Sequence, residues 1–444
     1  MTSQNNKTPL PLEGIRVIDM TIVWAGPYAT MLFSDMGAEV IRVESLQTPD
    51  INTRGNPRPP KGLLGTPRAN MFPNRDPGKR PWERGASFAY SGRNKRSVTA
   101  DLLRDEGREV FFRLAKASDV FIENGAAGTV EKLGITYDVL KDINPKLIMC
   151  SLPGYGTNGP YKYYKGYGAN VEAVCGHTYL RGYPDMDFTG TSPIFHADPA
   201  AGGTAAFLIM SALINRRKTG KGQYINLSQA ENMITQLPQA FMDYSMNGRV
   251  RERMGNRHSK HTQGCYPCVG EDNWVVMTIR NNQEWESLCK AMGKTELIND
   301  PRFNNMDKRI ENHDDIDQII SKWTTDKEKY EVFRTLQSLG IPCGPVAKPN
   351  DVLTDPHNIE RGLYEEHYHP SLEGAFKYPG PMFEMSKTPL RIRKLFPTLG
   401  EDNEYIYKDL LGYSDEEYSK LQEQKHIGDT YFDLGLEDLS GNIV

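Results

Sequence analysis

The N-terminal segment GIRVIDMTIVWAGPYATMLFSDMGAEVIRVES constrains the fold of this chain more than any other segment. Residues 15–20 are rich in β-branched and apolar side chains, as expected of a strand. Pro27 is well placed to begin a helix and Gly37 to end it, and AEVIRVE then predicts a second strand. A strand, a helix and a strand in this order form a βαβ unit, which requires a parallel sheet.

Strands and helices continue to alternate through the first half of the chain. The segments KRSVTADL, DVFIEN and LIMCSL predict further strands, and residues 104–116 have helical spacing. We therefore predict an α/β fold with a doubly wound, Rossmann-like parallel sheet. The Pro/Gly/Arg-rich segment 48–84 has little periodicity and predicts a long ordered loop or a flap.

The length of 444 residues favours two domains over one compact core. We assign residues 1–228, including the 48–84 insertion, to a large α/β domain. From about residue 247 the pattern changes, and residues 245–345 predict a smaller α+β domain. Residues 350–444 are then a return segment that completes the large domain.

Composition excludes several classes of protein. A formal net charge of −4 argues against a dedicated nucleic-acid binder. No apolar run approaches the roughly 18 residues of a membrane span, and the N-terminus lacks the pattern of a signal peptide. The six cysteines are scattered and do not form a disulfide framework. We expect a cytoplasmic protein without a membrane or nucleic-acid partner.

The segment SPIFHADPAAGGTAAF carries the most reactive candidate side chain, Asp198. Asp198 followed by Pro199 predicts the N-cap and first residue of a helix that runs to about residue 217. Ala201 excludes a capping box, and the small residues after Asp198 would let a large ligand approach a helix start whose N–H groups favour negative charge. Asp198 is therefore a candidate cap and a candidate nucleophile at once. His196 either orients Asp198 or simply packs.

Three other kinds of site can be drawn from the sequence. Glu44 ends the second strand where a ribose-binding acid would stand, but the turn TIVWAGP has one glycine where dinucleotide binding needs G-x-G-x-x-G. An NAD-dependent oxidoreductase is therefore the more distant alternative. The segment NRHSKHTQGCYPC lacks the long spacer between ligand pairs that zinc sites have, so we expect no metal. In GRNKRS, Lys95 and Arg96 would lie at a strand edge where phosphates can be held.

Taken together, the motifs resemble the class III (formyl-CoA-transferase-like) coenzyme A transferase family. The matching segments are PLEGIRVIDMTIVWAGPYATMLFSDMGAEVIRVE, NKRSVTADL, IENGAAGTVEKLGITYDVL, LIMCSLPGYGTNGPY, INRRKTGKGQYINLS, GNRH and GIPCGPV. They occur in the family's order and spacing and cover nearly the whole chain.

The resemblance implies a set of site residues. The family's catalytic aspartate, four residues before a glycine, falls on Asp198, with Gly202 as that glycine. The residues that the resemblance assigns to CoA binding are Val23, Trp24 and Ala25 in the first turn, Asn94, Lys95 and Arg96 on the phosphate side, Asn124, Gly125, Lys132 and Leu133 along adenine and pantetheine, and Lys165 and Tyr167 near the active site.

The sequence departs from the formyl-type pattern at several positions. Trp24 stands where those enzymes have Gln, Gly168 replaces an acid beside the family's tyrosine, and Ser45 replaces an arginine. NRHSKHTQG, residues 256–264, replaces their glycine-rich lid; either this loop or the 48–84 insertion closes the site. Acyl-CoA racemases of the same fold have a Gly-His-Asp run where this chain has Gly-Tyr-Gly at 166–168, so the racemase alternative lacks one acid–base group.

The resemblance implies transfer of CoA from a donor acyl-CoA, such as succinyl-CoA, to a carboxylic acid through aspartyl-anhydride and aspartyl-CoA intermediates. It implies acyl-CoA as a substrate, no permanently bound cofactor, and an interlocked dimer, either a homodimer or a heteromer with a related subunit. Aromatic residues suggest a bulky aryl-substituted acceptor (benzylsuccinate-like or phenylpropanoid) and a role in aromatic acid degradation, unless they are core or CoA-facing. These residues are Trp24, Phe72, Trp82, Phe88, Tyr90, Tyr167 and Phe195.

Overall fold

The computed structural model describes residues 8–60, 62, 66–192 and 194–432. The predicted large domain and its return segment extend into residues 1–7 and 433–444, which lie outside that description. Residues 61 and 63–65 of the insertion and residue 193 also lie outside it.

A six-stranded parallel sheet forms the centre of the large part of the molecule. Its strands are β1 (Arg16–Met20), β2 (Glu39–Glu44), β3 (Lys95–Thr99), β4 (Val120–Glu123), β5 (Ile148–Ser151) and β6 (Gln223–Asn226). They are arranged in the order β3-β2-β1-β4-β5-β6, and every pairing is parallel. This is the order of a doubly wound dinucleotide-type sheet, so the predicted α/β class is confirmed.

Helices cover both faces of this sheet. In chain order the helices up to residue 247 are α1 (Ala25–Asp35), α2 (Ala86–Ser91), α3 (Asp105–Lys116), α4 (Thr129–Leu133), α5 (Tyr137–Ile143), α6 (Gly168–Val174), α7 (His177–Leu180), α8 (Ala197–Thr219), α9 (Gln229–Ile234) and α10 (Pro238–Asn247). Most of α7 and α10 belongs to a second, smaller unit. Alternate residues of each strand point to opposite faces. On one face Ile18 and Phe121 pack with Phe111 of α3, and on the other Val17 packs with Phe33 of α1.

Helix α8 is the one helix in the described part of the chain that is long and apolar enough to cross a membrane. Half of its apolar window is buried, and its residues Ala205 and Ile209 belong to the same core cluster as Phe33 of α1. The chain therefore does contain an apolar segment of this length, against the prediction from sequence. Its apolar composition is that of a core helix.

A smaller compact unit comprises Thr178–Ser192 and Met242–Arg361. It contains a three-stranded antiparallel sheet, β7 (Thr262–Pro267), β8 (Trp274–Ile279) and β9 (Cys343–Pro345). Its helices are α11 (Asn282–Ala291), α12 (Met306–Glu311), α13 (His313–Thr324), α14 (Lys329–Ser338), α15 (Pro349–Thr354) and α16 (Pro356–Glu360). The unit extends to Arg361, past the predicted end at residue 345. The ion pair of Lys329 in α14 with Asp351 in α15, at 2.6 Å, is one contact that joins the added residues to the unit.

The chain returns to the large unit at Gly362. This return segment forms an antiparallel hairpin, β10 (Tyr364–His369) with β11 (Gly374–Pro379), and ends with α17 (Asp415–Glu423). The 48–84 insertion packs against it: the Trp82 ring meets the Tyr431 ring edge-on at 5.4 Å. Phe72, Trp82 and Phe88 are all buried, so these aromatic side chains belong to the core of the large unit.

Candidate active site

A cavity of about 240 Å³ opens at the carboxyl ends of β1, β4 and β5, the edge where ligands bind in open α/β sheets. Segments that follow these strands form most of its wall. Its lining residues are Ile22, Val23, Asn124, Gly125, Ala126, Ala127, Pro153, Gly154, Tyr155, Lys162, Tyr164, Lys165, Gly166, Tyr167, Gly168, Asp198 and Gln229. Among these described residues Asp198 supplies the one carboxylate, beside two lysines.

Asp198 lies in the first turn of α8 and is only 6% exposed. Burial raises the pKa of Asp198 to about 6; the backbone N–H of Ala25, which donates to its carboxylate, acts against this rise, and the charge of Glu172 adds to it. Ala25 is the first residue of α1, so the starts of α1 and α8 meet at this carboxylate. A carboxylate with this pKa is mostly ionised at neutral pH and is more basic than an ordinary aspartate.

Asp198 does not cap its helix, so the N-cap prediction is wrong. Helix α8 begins at Ala197, and its N-cap is His196, which makes no side-chain capping bond. The backbone N–H of His196 instead donates to Oε1 of Glu172 at 2.6 Å. A carboxylate 24 residues upstream thus satisfies a donor at the helix start, which leaves Asp198 free to face the cavity. No local pattern around Asp198 could have revealed this.

The small residues after Asp198 have a different use from the predicted one. A Cβ on Gly202 would lie 2.5 Å from the carbonyl oxygen of Ala25. Gly202 therefore permits the close packing of α1 on α8 that brings the Ala25 N–H to Asp198. Gly203 has nothing within 4 Å of such a Cβ.

The ring of His196 points to a partner other than Asp198. Its Nε2 lies 3.0 Å from Oε1 of Gln236, and its centroid is 6.4 Å from the His177 ring. The sequence left open whether His196 orients Asp198 or simply packs. The contact with Gln236 agrees with packing.

Five of the predicted binding residues line the same cavity as Asp198: Val23, Asn124, Gly125, Lys165 and Tyr167. The Asn124 amide accepts from the backbone N–H of Ile22 at 2.7 Å and donates to its carbonyl oxygen at 2.8 Å. Val23 has a φ of 65°, a left-handed conformation that is rare for a β-branched residue. Backbone of this kind is concentrated at functional sites.

Other predicted residues lie nearby or apart. Ala25 contacts Asp198 through its N–H. Leu133 lines a second cavity of about 450 Å³ at the carboxyl ends of β1 to β4, which shares Ile22, Gly125 and Ala126 with the first. Trp24 and Lys132 are exposed and line neither of these two cavities.

The structure separates Asn94, Lys95 and Arg96 from both cavities, against the predicted phosphate contact. These residues lie at the amino end of β3, whereas the cavities are at the carboxyl edge of the parallel sheet. Lys95 is 2% exposed, and its Nζ lies 3.0 Å from Oδ2 of Asp19. Arg96 pairs with Glu39 and Asp402, and Asn94 donates to Asp35 at 2.8 Å. The Lys95 side chain is committed to the interior of the fold, whereas the partly exposed Arg96 and Asn94 are held in contacts away from both cavities.

One wall of the cavity is formed by tyrosines and lysines that the sequence pattern did not single out. Tyr155, Lys162 and Tyr164 line it, and the rings of Tyr161 and Tyr164 stack at 4.8 Å. These residues fall in GYGTNGPYKYYKGYG, residues 154–168, which lies between β5 and the start of α6. The density of tyrosine and lysine just before Asp198's helix was the available signal.

The histidines and cysteines of the segment NRHSKHTQGCYPC lie apart from both cavities. His258 and His261 stack their rings at 4.9 Å, and Cys268 is buried in the core of the smaller unit. Within residues 8–60, 62, 66–192 and 194–432, no group of three or more His, Cys, Asp or Glu side chains is placed to hold a metal ion.

Comparison with known sequences gives one consistent result. The profile of CoA-transferase family III matches residues 12–403. A probable CoA-transferase of Mycobacterium tuberculosis is 33% identical over 93% of this chain, which spans half the length of that relative. The succinyl-CoA–D-citramalate CoA-transferase of Chloroflexus aurantiacus is 31% identical over 96% of this chain and 100% of its own. The succinyl-CoA–L-malate CoA-transferase beta subunit of the same organism is 32% identical over 95% and 99%.

Comparison with solved structures agrees. A CAIB/BAIF family protein from Brucella suis superposes with a TM-score of 0.78 at 30% identity, covering 90% of this chain and 100% of its own.

Proposed function

The chain belongs to CoA-transferase family III, and from that premise we propose that Asp198 is its nucleophile and succinyl-CoA its donor. The observation that carries the assignment is the buried Asp198 carboxylate at the cavity on the carboxyl edge of the sheet. Because burial raises its pKa only to about 6, the carboxylate is ionised at neutral pH while remaining a better nucleophile than a more acidic one.

The reaction proceeds by exchange at two carbonyl groups. Asp198 attacks the thioester carbonyl of the donor, the C–S bond breaks, and CoA leaves as the thiolate with a mixed anhydride formed. The thiolate attacks the aspartyl carbonyl, releases the donor acid as a carboxylate and leaves an aspartyl-CoA thioester. The acceptor carboxylate then attacks this thioester and displaces the thiolate. The thiolate finally attacks the acceptor carbonyl, which gives acceptor-CoA and restores Asp198. Each step conserves an activated acyl bond, so no external source of energy is consumed.

Charge that develops on the carbonyl oxygens needs fixed donors. The N-terminal ends of α1 and α8 meet at Asp198, and the positive ends of two helix dipoles favour negative charge there. The Ala25 N–H is the donor already aimed at the carboxylate. We assign these backbone groups to stabilisation of the tetrahedral intermediates.

For CoA itself we propose the second cavity as the nucleotide end of the site. It is lined by Leu133 and other apolar groups, together with the charged side chains of Arg42, Glu44, Asp50 and Asp101. It joins the first cavity through Ile22, Gly125 and Ala126. A thioester in the first cavity would extend its pantetheine arm past Asn124 and Gly125 into the second.

For the acceptor we propose a dicarboxylic acid. The aryl-substituted acceptor predicted from sequence loses part of its support, because Phe72, Trp82 and Phe88 are buried in the core. The first cavity carries Lys162 and Lys165, for which no ion pair is seen among the described residues; the Lys162 ammonium lies 4.7 Å from the centre of the Tyr163 ring. A second carboxylate on the acceptor would pair with one of them.

Two relatives support this choice, since their names pair succinyl-CoA with D-citramalate and L-malate. The tyrosines of the cavity wall (Tyr155, Tyr164 and Tyr167) also accommodate a ring. A benzylsuccinate-like dicarboxylate, and with it a role in aromatic acid degradation, is therefore compatible with the site, whereas a phenylpropanoid monocarboxylate would leave both lysines unpaired.

For the assembly we propose an interlocked homodimer acting in the cytoplasm. One relative is named as the beta subunit of its enzyme, so a heteromer with a related subunit is the alternative. The presence of Asp198 makes this chain the active partner in either case.

Trapping the covalent intermediate tests the nucleophile. The protein is incubated with succinyl-CoA, quenched with hydroxylamine and mapped by mass spectrometry. We expect a hydroxamate on Asp198 that is absent in Asp198→Asn and retained in Asp138→Asn, a matched change on the surface of α5. A label on another residue, or full activity of Asp198→Asn, rejects the assignment.

An acceptor panel tests the substrate class. With succinyl-CoA as donor, we expect CoA esters of D-citramalate, L-malate or benzylsuccinate and none of 3-phenylpropanoate. The reverse preference would reject the dicarboxylate. Exchange of an α-proton of an acyl-CoA without CoA transfer would favour the racemase, and reduction of NAD the oxidoreductase.

A further inference from the structure

Helix α6 faces the start of α8 with two residues that the mechanism above does not use. Gly168 and Glu172 are four residues apart on α6 and therefore lie on one face of the helix. Val171 and Cys175, beside them, pack with Ala197 of α8 in one buried cluster. The face is held against the first turn that carries Asp198.

Glu172 is fully buried, with a relative exposure of 0%. Its Oε1 accepts the backbone N–H of His196 at 2.6 Å and lies 3.9 Å from Nδ1 of His177. Its charge is one of the causes that raise the pKa of Asp198. Burial of a carboxylate is costly unless it is compensated, and the His196 N–H supplies a compensating hydrogen bond at the start of the helix that carries Asp198.

Gly168 provides the space in which the nucleophile lies. A Cβ on Gly168 would be 2.2 Å from Oδ2 of Asp198, well inside van der Waals contact. In this structure a side chain at position 168 would require the end of the Asp198 side chain to shift.

We propose that Glu172 is a positioning residue for acyl transfer, which fixes the first turn of α8 and places a second negative charge behind Asp198, with Gly168 leaving the space for the carboxylate. The proposal rests on Asp198 being the nucleophile. Its chemical consequence is a more basic carboxylate, and nucleophilicity rises with basicity as long as the group stays ionised at the working pH.

Other charged and titratable groups face this pair of carboxylates. Lys162, Lys165 and three tyrosines (Tyr155, Tyr164 and Tyr167) line the cavity in front of Asp198. Behind it, His177 faces Glu172, and the His196 ring turns to Gln236. The negative charge of Glu172 is one cause of the raised pKa of Asp198. Removing that charge should therefore lower the pKa of Asp198.

Infrared difference spectroscopy over a pH series tests the charge effect without a substrate. The carboxylic acid C=O band of Asp198 is the band absent in Asp198→Asn. Glu172→Gln keeps an oxygen that can accept the His196 N–H but removes the charge. We expect its midpoint for the Asp198 band to shift to lower pH than in the wild type, whereas Glu231→Gln, an exposed change on α9, leaves it in place. An unchanged midpoint in Glu172→Gln overturns the proposal.

A kinetic test covers the steric part and remains available if Glu172→Gln does not fold. Gly168→Ala should slow formation of the succinyl-CoA-derived Asp198 hydroxamate roughly 100-fold, because displacement by about 1 Å can cost that much. Gly203→Ala, which meets nothing within 4 Å, is the control. Wild-type rates in Gly168→Ala overturn the proposal. Failure of the proposed function itself is distinguishable, because it would leave the wild type without any Asp198 hydroxamate.

Discussion

The charge of Asp198 makes the folded state less stable than a neutral side chain would. Its pKa is raised from the ordinary 3.8 to about 6, so the unfolded chain loses this proton more readily than the folded one. Ionisation of Asp198 therefore costs the folded state no stability below about pH 4 and the full amount above about pH 6. The difference of about 2.2 between the pKa of the folded chain and that of the unfolded chain corresponds to about 3 kcal/mol of unfolding free energy.

Asp198→Asn should accordingly raise the free energy of unfolding at pH 8 by about 1–3 kcal/mol while abolishing acyl transfer. The difference in unfolding free energy between the variant and the wild type should become smaller as the pH falls from 8 to 5, because Asp198 of the folded wild type becomes protonated over that range. Urea unfolding at the two pH values measures both, with Asp138→Asn as the exposed control. A variant that is less stable than the wild type at pH 8 would contradict the direction of the pKa shift.

Lys95 shows how a basic residue that resembles a phosphate contact can be a structural group instead. Its ammonium lies 3.0 Å from Asp19 and 2.7 Å from Oγ1 of Thr30, with 2% exposure. Loss of one partner of a buried pair leaves an uncompensated charge. Arg42, with its Nη1 3.9 Å from Asp19, compensates only part of it.

Lys95→Met should lower the free energy of unfolding by about 3 kcal/mol and leave the KM for succinyl-CoA unchanged. The double variant Lys95→Met/Asp19→Asn removes both charges and should recover part of the loss. Chemical denaturation and steady-state kinetics are the two measurements. A large rise in KM with unchanged stability would restore Lys95 to the CoA site.

At the scale of elements, local pattern located the strands and helices well. Strand β1 was predicted at 15–20 and spans Arg16–Met20, and the helix predicted from 199 to about 217 spans Ala197–Thr219. Side-chain periodicity within a segment determines such elements. What the sequence could not show were pairings between distant segments: Lys95 with Asp19, and Glu172 with the backbone of His196. These two contacts decide which residues are available to a substrate.

The packing of α1 on α8 gives a sharp test with two neighbouring glycines. A Cβ at Gly202 would lie 2.5 Å from the Ala25 carbonyl oxygen and 3.3 Å from the Ala29 nitrogen, whereas one at Gly203 meets nothing within 4 Å. Gly202→Ala should destabilise the protein by about 1–3 kcal/mol through overpacking and should also reduce activity, because the Ala25 N–H moves away from Asp198.

Gly203→Ala should instead stabilise by about 0.5–1 kcal/mol, since alanine is the better helix former. Thermal unfolding and the rate of hydroxamate formation at Asp198 compare the two variants. Equal effects of both substitutions would show that helix propensity, and not the contact with α1, governs this turn.

At the scale of the whole molecule, the cavity that contains Asp198 is built entirely from the large unit. The sequence could assign this unit its α/β class, because alternation of strand and helix is visible in order. It could not rank acceptors, because a list of aromatic residues does not distinguish a core ring such as Phe88 from a cavity ring such as Tyr164. That distinction depends on burial, which only the folded chain determines.

The outer face of α8 bears on how the molecule assembles. Phe207 and Ile214 are 64% and 58% exposed, and seven residues correspond to almost two full turns, so they share one face of the helix. Large apolar side chains aligned in this way are typical of a surface that a second subunit covers. We expect that cover to be a second copy of this chain, in the homodimer proposed above.

The double variant Phe207→Asp/Ile214→Asp should therefore be monomeric, and its rate of acyl transfer should be lower than that of the wild type. Size-exclusion chromatography with light scattering measures the oligomeric state. Val139→Asp, an exposed change on α5, should leave the dimer intact, because an isolated surface residue has no partner to repel. Desolvation of two carboxylates at a packed interface is too costly for the dimer to tolerate. A variant that stays dimeric and active would place the interface elsewhere on the molecule.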